Sequence, residues 1–168
     1  MTMDLRELTR ELHHAAEQHP FGTKMSSGDV TPVEWADWVA SLRQVHTVLD
    51  PQLPPCLDRR GELLLDLGLL LPVRGIAAAS AAKFANSLID PDRVIGAAYI
   101  FMGAHLRGGA VIRKRLEPKG LPCNHLRFAQ AKDANDYIVA LRDISNAAAG
   151  ATAAFEAIIA IMDELASR

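Results

Sequence analysis

The chain has 168 residues, of which 49% are hydrophobic and 23% charged, and its formal net charge at pH 7 is −2. This length suits a single full core, so we expect residues 1–168 to form one domain. Proteins that bind nucleic acid usually have a strongly basic face, so this small net charge argues against nucleic acid as the main partner. The apolar runs are too short for a membrane span and no signal-peptide pattern opens the chain. We therefore predict a cytoplasmic protein without a membrane partner.

The first two helices are separated by a loop. Helical periodicity dominates the chain, and no segment alternates for long as a strand does. The first helix is predicted over residues 4–19, because Pro20 disfavours helix in the residue before it. A loop with two glycines then leads to Thr31, which is followed by proline and, three residues on, by glutamate. This capping box predicts a second helix that ends near Leu49.

The rest of the chain contains five more predicted helices. They lie at about 58–70, 76–88, 90–116, 132–149 and 151–166. Gly103, Gly108 and Gly109 interrupt the long helix, and each costs up to ~1 kcal/mol relative to alanine. Gly150 is predicted to separate the last two helices. The expected fold is all-α, a single-domain bundle of six to seven helices.

One face of the first helix carries an unusual polar stripe. Arg6, Arg10, His13 and Glu17 follow one another at spacings of four, three and four residues. At about 100° per residue these side chains stack along one face, beside an apolar stripe that supplies the core contact. Two cations and an imidazole suit a ligand with anionic groups at one end and a metal at the other. Haem, with its propionates and iron, has this combination.

The three glycines of the long helix have two explanations. They allow close packing against another helix or a kink. They also allow a planar ligand to lie against the backbone, where any side chain would clash. A helix bent over one face of a ring, with a histidine approaching the other face, would enclose a haem between them.

The chain resembles the haem oxygenase family in two segments. Segment 6–13, Arg-Glu-Leu-Thr-Arg-Glu-Leu-His, is similar to the family's first helix, which has two basic residues, a threonine and the proximal histidine at matching offsets; Glu17 also matches. Segment 98–109, Ala-Tyr-Ile-Phe-Met-Gly-Ala-His-Leu-Arg-Gly-Gly, is similar to the distal helix, whose pattern has Ala-Tyr and then Gly-Asp-Leu-Ser-Gly-Gly. Segment 59–67 is more weakly similar to bacterial members linked to phytochromes.

The resemblance implies a haem-degrading monooxygenase with the haem oxygenase fold. In the family, haem is both cofactor and substrate. Three O₂ molecules, with electrons from a reductase or ferredoxin, convert it to biliverdin, CO and Fe²⁺. We therefore expect haem, O₂ and an external electron donor as the molecules that this protein uses.

The resemblance also implies roles for individual residues. His13 would be the axial iron ligand through a neutral imidazole nitrogen. Arg6 and Arg10 would face the propionates, because planar guanidinium groups bind carboxylates well. The predicted site residues are His105, Gly108 and Gly109 for catalysis, Arg6, Arg10, Glu17, Tyr99, Ala104 and Arg142 for haem binding, and His13 for the iron.

The distal segment departs from the family's pattern. His105 stands where the commonest pattern has the aspartate that organises distal water, and Ala104 replaces the first glycine. A histidine there can hydrogen-bond water in place of the aspartate, or it can ligate iron and block the oxygen site. A second hypothesis is therefore a haem-binding or haem-sensing protein with the same fold and little or no degradation.

Two further hypotheses use the same helical scaffold. Glu11 and His14 form a Glu-x-x-His pair, which is typical of di-iron carboxylate bundles, but the second copy that such a site needs is missing from the sequence. A scaffold of this kind also serves other small molecules, as in thiamin-degrading relatives, because fold alone does not fix function. The latter hypothesis predicts no haem binding.

Overall fold

The computed structural model describes residues 4–168 and contains ten α-helices and no strand in that range. Residues 1–3 of the predicted domain lie outside the described residues. The helices are α1 Leu5–Leu8, α2 Arg10–Gln18, α3 Pro20–Ser27, α4 Pro32–Leu49, α5 Arg60–Leu69, α6 Ala79–Asn86, α7 Pro91–Arg107, α8 Gly109–Leu116, α9 Ala131–Ala140 and α10 Ala148–Ala166. The predicted all-α fold is confirmed.

The predicted first helix is divided at Thr9. The Thr9 hydroxyl donates to the backbone oxygen of Leu5 at 2.7 Å, and the threonine is buried. A threonine that bonds back to the fourth preceding carbonyl tends to bend a helix. As a result Arg6 belongs to α1, whereas Arg10 and His13 belong to α2.

The segment after α2 is helical, so the predicted loop there is wrong. Helix α2 ends at Gln18, as the proline signal predicts. Pro20 then occupies the first position of α3, where its missing N–H group is no loss. The ring nitrogen Nδ1 of His19 accepts a hydrogen bond from the Phe21 N–H group at 3.1 Å and caps this helix. Helix α3 ends at Gly28, whose φ of 84° is the left-handed conformation that glycine adopts readily.

Helix α4 begins with the predicted capping box. The Thr31 hydroxyl accepts from the Glu34 N–H group at 3.1 Å, and the Glu34 carboxylate accepts from the Thr31 N–H group at 2.9 Å. The helix continues to Leu49, and ten of its eighteen residues are buried. It therefore lies in the centre of the bundle, where it packs against α5 and α6.

Close contact between α7 and α10 explains two other glycines. A methyl group added at Gly96 would lie 2.2 Å from the backbone nitrogen of Ala151, and one at Gly150 would lie 2.8 Å from the Cα atom of Arg93. The prediction that Gly150 separates two helices is wrong, because it lies inside α10. Two 3₁₀ turns within residues 141–147 make the separation instead.

The glycines predicted to interrupt the long helix have different roles. Helices α7 and α8 meet at Gly108 with a bend of 45°, so the predicted kink is confirmed. A methyl group at Gly109 would lie 3.2 Å from the Leu126 side chain, which indicates close packing. At Gly103 the nearest atom would be 3.8 Å away, an ordinary contact. Packing within the protein therefore does not require a glycine at that position.

The apolar helix faces meet in one core. Its largest fully buried side chains include Trp35, Leu42, Phe101, Met102 and Ile161. No single helix in residues 4–168 is long and apolar enough to cross a membrane. Two pairs of helices meet that requirement only when they are joined across bends of 45° and 118°.

Candidate functional site

His13 lies on a surface helix and is accessible. None of the residues of α2 is fully buried, and 59% of the His13 side chain is exposed. Its ring stacks on Phe155 of α10, with 5.6 Å between the ring centroids and 29° between the planes. Its Nε2 atom lies 3.1 Å from the Glu17 carboxylate, which is also exposed. The imidazole is therefore held on one side and open on the other.

The two arginines of the polar stripe are both exposed, and the break at Thr9 places them on successive helices. Arg10 donates from Nη2 to the Glu7 carboxylate at 2.7 Å. An exposed ion pair of this kind contributes only about 0–1 kcal/mol, so it gives way easily to another carboxylate. Glu7, Leu8, Arg10 and Glu11 line a shallow depression of about 340 Å³ beside the stripe.

Arg142 lies in a 3₁₀ turn, Leu141–Asp143, that packs against α1. The structure therefore brings this residue close to the helix that carries Arg6, although the two lie far apart in the sequence. Arg142 is half-buried, and its Nε atom is buried without a hydrogen-bond partner. The same is true of the Nε atoms of Arg59, Arg93 and Arg113, so position rather than this atom marks Arg142.

The end of α7 has one exposed face of small residues and one buried face. Ala104 and Gly108 are exposed, whereas Tyr99, His105 and Gly109 are buried. Ala104 and Gly108 have little side-chain bulk, and the exposed side chain of Arg107 lies beside them on the helix. The predicted distal residues thus divide between the two faces, and His105 lies on the side of the core.

His105 belongs to a buried histidine cluster, formed by His46, His105 and His125 with the carboxylates of Asp50 and Asp66. The Nε2 atoms of His105 and His46 are 3.0 Å apart, and Nδ1 of His46 lies 2.8 Å from Asp50. His125 stands edge-on to His105, with 5.6 Å between the ring centroids. Asp50 orients His46, and Asp66 orients His125.

Asp66 is fully paired. Oδ1 accepts from the backbone N–H group and the side-chain amide of Asn124. Oδ2 accepts from the backbone N–H group of His125 and lies 2.6 Å from Nδ1 of the same residue. Burial opposes the charge on this carboxylate, but the hydrogen bonds from His125 outweigh it, so the pKa of Asp66 is lowered. The site therefore contains an ionised carboxylate beneath His125.

Burial disfavours the charged forms of His105 and His125. Burial lowers the pKa of His105 well below its usual value, and the neighbouring charges of His46, His125 and Arg59 lower it further. Burial also lowers the pKa of His125, and Asp66 only partly offsets this effect. Nε2 of His125 is buried without a hydrogen-bond partner.

The sequence contained a signal for only part of this cluster. His46 in α4 and Asp50 directly after it are four residues apart, a spacing that places two side chains side by side at a helix end. Asp66 and His125 are 59 residues apart, and no local pattern joins them. Within residues 4–168, no group of three or more His, Cys, Asp or Glu side chains is placed to hold a metal ion.

Solved structures show to which class this bundle belongs: it has the haem oxygenase fold. Haem oxygenase-2 of Synechocystis, solved with haem and NO, is 20% identical, with a TM-score of 0.82 over 97% of this chain and 84% of that one. Haem oxygenase-1 of Synechocystis, solved with haem, is 18% identical, with a TM-score of 0.76 over 97% and 89%. The haem oxygenase of Leptospira interrogans is 18% identical, with a TM-score of 0.78 over 99% and 100%.

No family model and no curated protein match the chain. The resemblance seen in the sequence is thus confirmed at the level of the fold, over nearly the whole chain.

Proposed function

We propose that the protein binds haem through His13 and degrades it to biliverdin, CO and Fe²⁺, with O₂ and electrons from a reductase or ferredoxin. The observation that carries the proposal is the accessible imidazole of His13, on a surface helix of a haem oxygenase fold. A ligand to iron must be free to approach the metal, and a histidine with 59% of its side chain exposed meets this requirement.

The charged residues around α1 and α2 fit the two propionates. Arg6 is exposed, and Arg10 is held only by an exposed ion pair with Glu7. Arg142 is half-buried on the turn that packs against α1 and adds a third guanidinium to this region. Guanidinium groups bind carboxylates with two parallel hydrogen bonds, so these three residues can hold the propionate edge of the molecule.

The exposed face of α7 fits the flat surface of the ring. Ala104 and Gly108 present almost no side chain there, and the 45° bend at Gly108 inclines α8 relative to α7. Tyr99 on α7 and Gly109 on α8 are buried on the opposite side. Bound haem supplies the iron at which O₂ reacts and the ring carbon that is oxidised. The chain supplies the ligand, the orientation and the exclusion of bulk water.

The second hypothesis, haem binding without degradation, is motivated by His105 in place of the distal aspartate, and in one form of it His105 ligates the iron. The Nε2 atom of His105 is 3.0 Å from Nε2 of His46, in the interior. Ligation through this atom would break a buried hydrogen bond, which costs about 1–3 kcal/mol. This contact disfavours ligation through Nε2. The cytoplasmic location and the absence of nucleic-acid and membrane partners stay predictions.

Two measurements test the proposal. Hemin is titrated into the purified protein, and we expect a shifted Soret band at one equivalent. A reductant is then added under air, and we expect the haem bands to give way to those of biliverdin, with release of CO. Haem binding without biliverdin would support the sensing hypothesis. The absence of any Soret shift would reject both and favour a different small molecule.

A further inference from the structure

His46 is a buried residue with both ring nitrogens engaged. Nδ1 lies 2.8 Å from Oδ1 of Asp50, and Nε2 lies 3.0 Å from Nε2 of His105. The other oxygen of Asp50 accepts the backbone N–H of Arg59 at 2.7 Å. The side chains of His46 and Asp50 have no exposed area. Hydrogen bonds therefore determine the geometry of this chain of groups.

The carboxylate decides where His46 carries its proton. Asp50 also accepts the Arg59 N–H group and faces the Asp58 carboxyl; as an acceptor toward His46 it requires Nδ1 of His46 to be the N–H group. A neutral imidazole has one N–H group, which leaves Nε2 as an acceptor. The group that faces it, Nε2 of His105, must then donate. His105 consequently has no proton on Nδ1.

The surroundings favour neutral rings. Every imidazole of the cluster is buried, and burial disfavours the charged form. Arg59 already places one positive charge beside the cluster, where it donates to the Arg127 backbone oxygen at 2.7 Å and lies 3.9 Å above the Phe128 ring. His125, edge-on to His105, has its own carboxylate in Asp66. His46 is equally buried, and a neutral ring with a single proton is the form that the proposal below gives it.

We propose that His46 and Asp50 are positioning residues that hold His105 in the Nε2–H tautomer, so that its Nδ1 atom is a hydrogen-bond acceptor. Nδ1 then has the hydrogen-bonding character, that of an acceptor, of the carboxylate that stands at this position in the haem oxygenase pattern. The role in the reaction rests on the proposed function. The tautomer itself is a property of the protein without haem.

Asp50→Asn tests the proposal, because one oxygen of Asp50 faces Nδ1 of His46 and the other accepts from the Arg59 N–H group. The Arg59 N–H group needs an acceptor, so the amide oxygen must face it. The amide NH₂ group must then face Nδ1 of His46 and donate to it. His46 becomes the Nε2–H tautomer, and His105 must change to Nδ1–H. One isosteric substitution is thus expected to reverse both tautomers.

The measurement is the ¹⁵N spectrum of histidine-labelled protein without haem, at pH 8, with His46 and His105 assigned. In the native protein we expect a protonated Nε2 and an unprotonated Nδ1 for His105, and the reverse for His46. Asp50→Asn should exchange both patterns. The control is Asp163→Asn, which alters the exposed contact of Asp163 with His19 (2.7 Å) and should leave both residues unchanged.

Three outcomes would overturn the proposal: a native His105 protonated on Nδ1, two protonated nitrogens on His46, or an Asp50→Asn spectrum like that of the native protein. The native spectrum decides the first two even where the variant folds poorly. In turnover, we expect Asp50→Asn to bind hemin normally and to form biliverdin about tenfold more slowly or worse. If the tautomers are as stated and the native protein fails to bind hemin, the proposed function fails and the tautomer assignment stands.

Discussion

The histidines predicted for one site lie in opposite environments. His13 is more than half exposed on α2 and has one polar contact, with Glu17 at 3.1 Å. His105 is 6% exposed, and its contacts are to groups that are themselves buried and oriented. The first environment suits a residue that must release its contact to take a ligand. The second suits a residue whose protonation must not change when a ligand arrives.

The energetic contrast follows from the solvent. An exposed pair such as His13 and Glu17 gains little, because water screens the charges and competes for the hydrogen bonds. In the buried histidine cluster the same contacts are strong, and an unpaired partner is costly. Substitutions in the two regions should therefore differ in what they change: haem binding at α2, and folding or proton placement in the cluster.

The largest effect is expected for His13→Ala. Removal of the axial ligand should lower hemin affinity at least about tenfold, or about 1.4 kcal/mol, and abolish biliverdin formation. Soret titration and turnover under air measure both, and added imidazole should restore part of the spectrum. His14→Ala, at the next position of the same helix, is the matched control and should behave as the native protein. An unchanged spectrum in His13→Ala would show that another residue ligates the iron.

Asp66→Ala should be the largest change in stability. It leaves four donors in the interior without their acceptor. A buried donor left without an acceptor costs about 1–3 kcal/mol, so the loss should reach several kcal/mol, and urea unfolding measures it. Asp136→Ala, which removes an exposed contact of 2.6 Å with Lys132, is the control and should not shift the midpoint. Equal midpoints for the two variants would contradict the contrast between the regions.

A pH dependence of stability should come from the buried region. The pKa values of His105 and His125 are lowered on folding, so below the unfolded value of 6.5 the unfolded chain binds more protons. Stability is then complete above pH 6.5 and falls as the pH decreases, by up to about 1.4 kcal/mol per pH unit for each histidine.

Urea unfolding at pH 7.5, 6.5 and 5.5 measures this slope. His105→Asn removes one of the two buried histidines and should reduce the dependence of the unfolding free energy on pH by that residue's contribution. His14→Asn removes an exposed ring and should leave the dependence unchanged. A stability that is constant from pH 7.5 to 5.5 in the native protein would mean that the buried histidines already carry protons.

The smallest effect is expected for Glu17→Gln. Its contact with His13 is exposed and must open when the imidazole takes a ligand. Because such a pair contributes less than about 1 kcal/mol, hemin affinity should change less than about fivefold. A Soret titration of the variant beside the native protein measures it. A loss as large as that of His13→Ala would show that Glu17 itself contacts the ligand.

Much of the fold was predictable from local patterns. The capping box of Thr31 and Glu34 starts a helix where it was expected, because both partners lie within four residues. The kink at Gly108 was also expected. The helix that starts at Pro20 and the place of Gly150 inside α10 were not, since proline starts a helix as readily as it ends one. Gly150 is required by the contact with Arg93 on α7, 57 positions away along the chain.

The sequence by itself determined the parts of this protein that depend on spacing along a helix: the all-α class, the polar stripe and the short run of glycines around His105. Only the tertiary structure decided which histidines are exposed and which are paired. The contacts of His105 with His46, of His125 with Asp66, and of the Arg142 turn with α1 join residues more than fifty positions apart. Such contacts form when helices pack, so no local pattern in the chain encodes them.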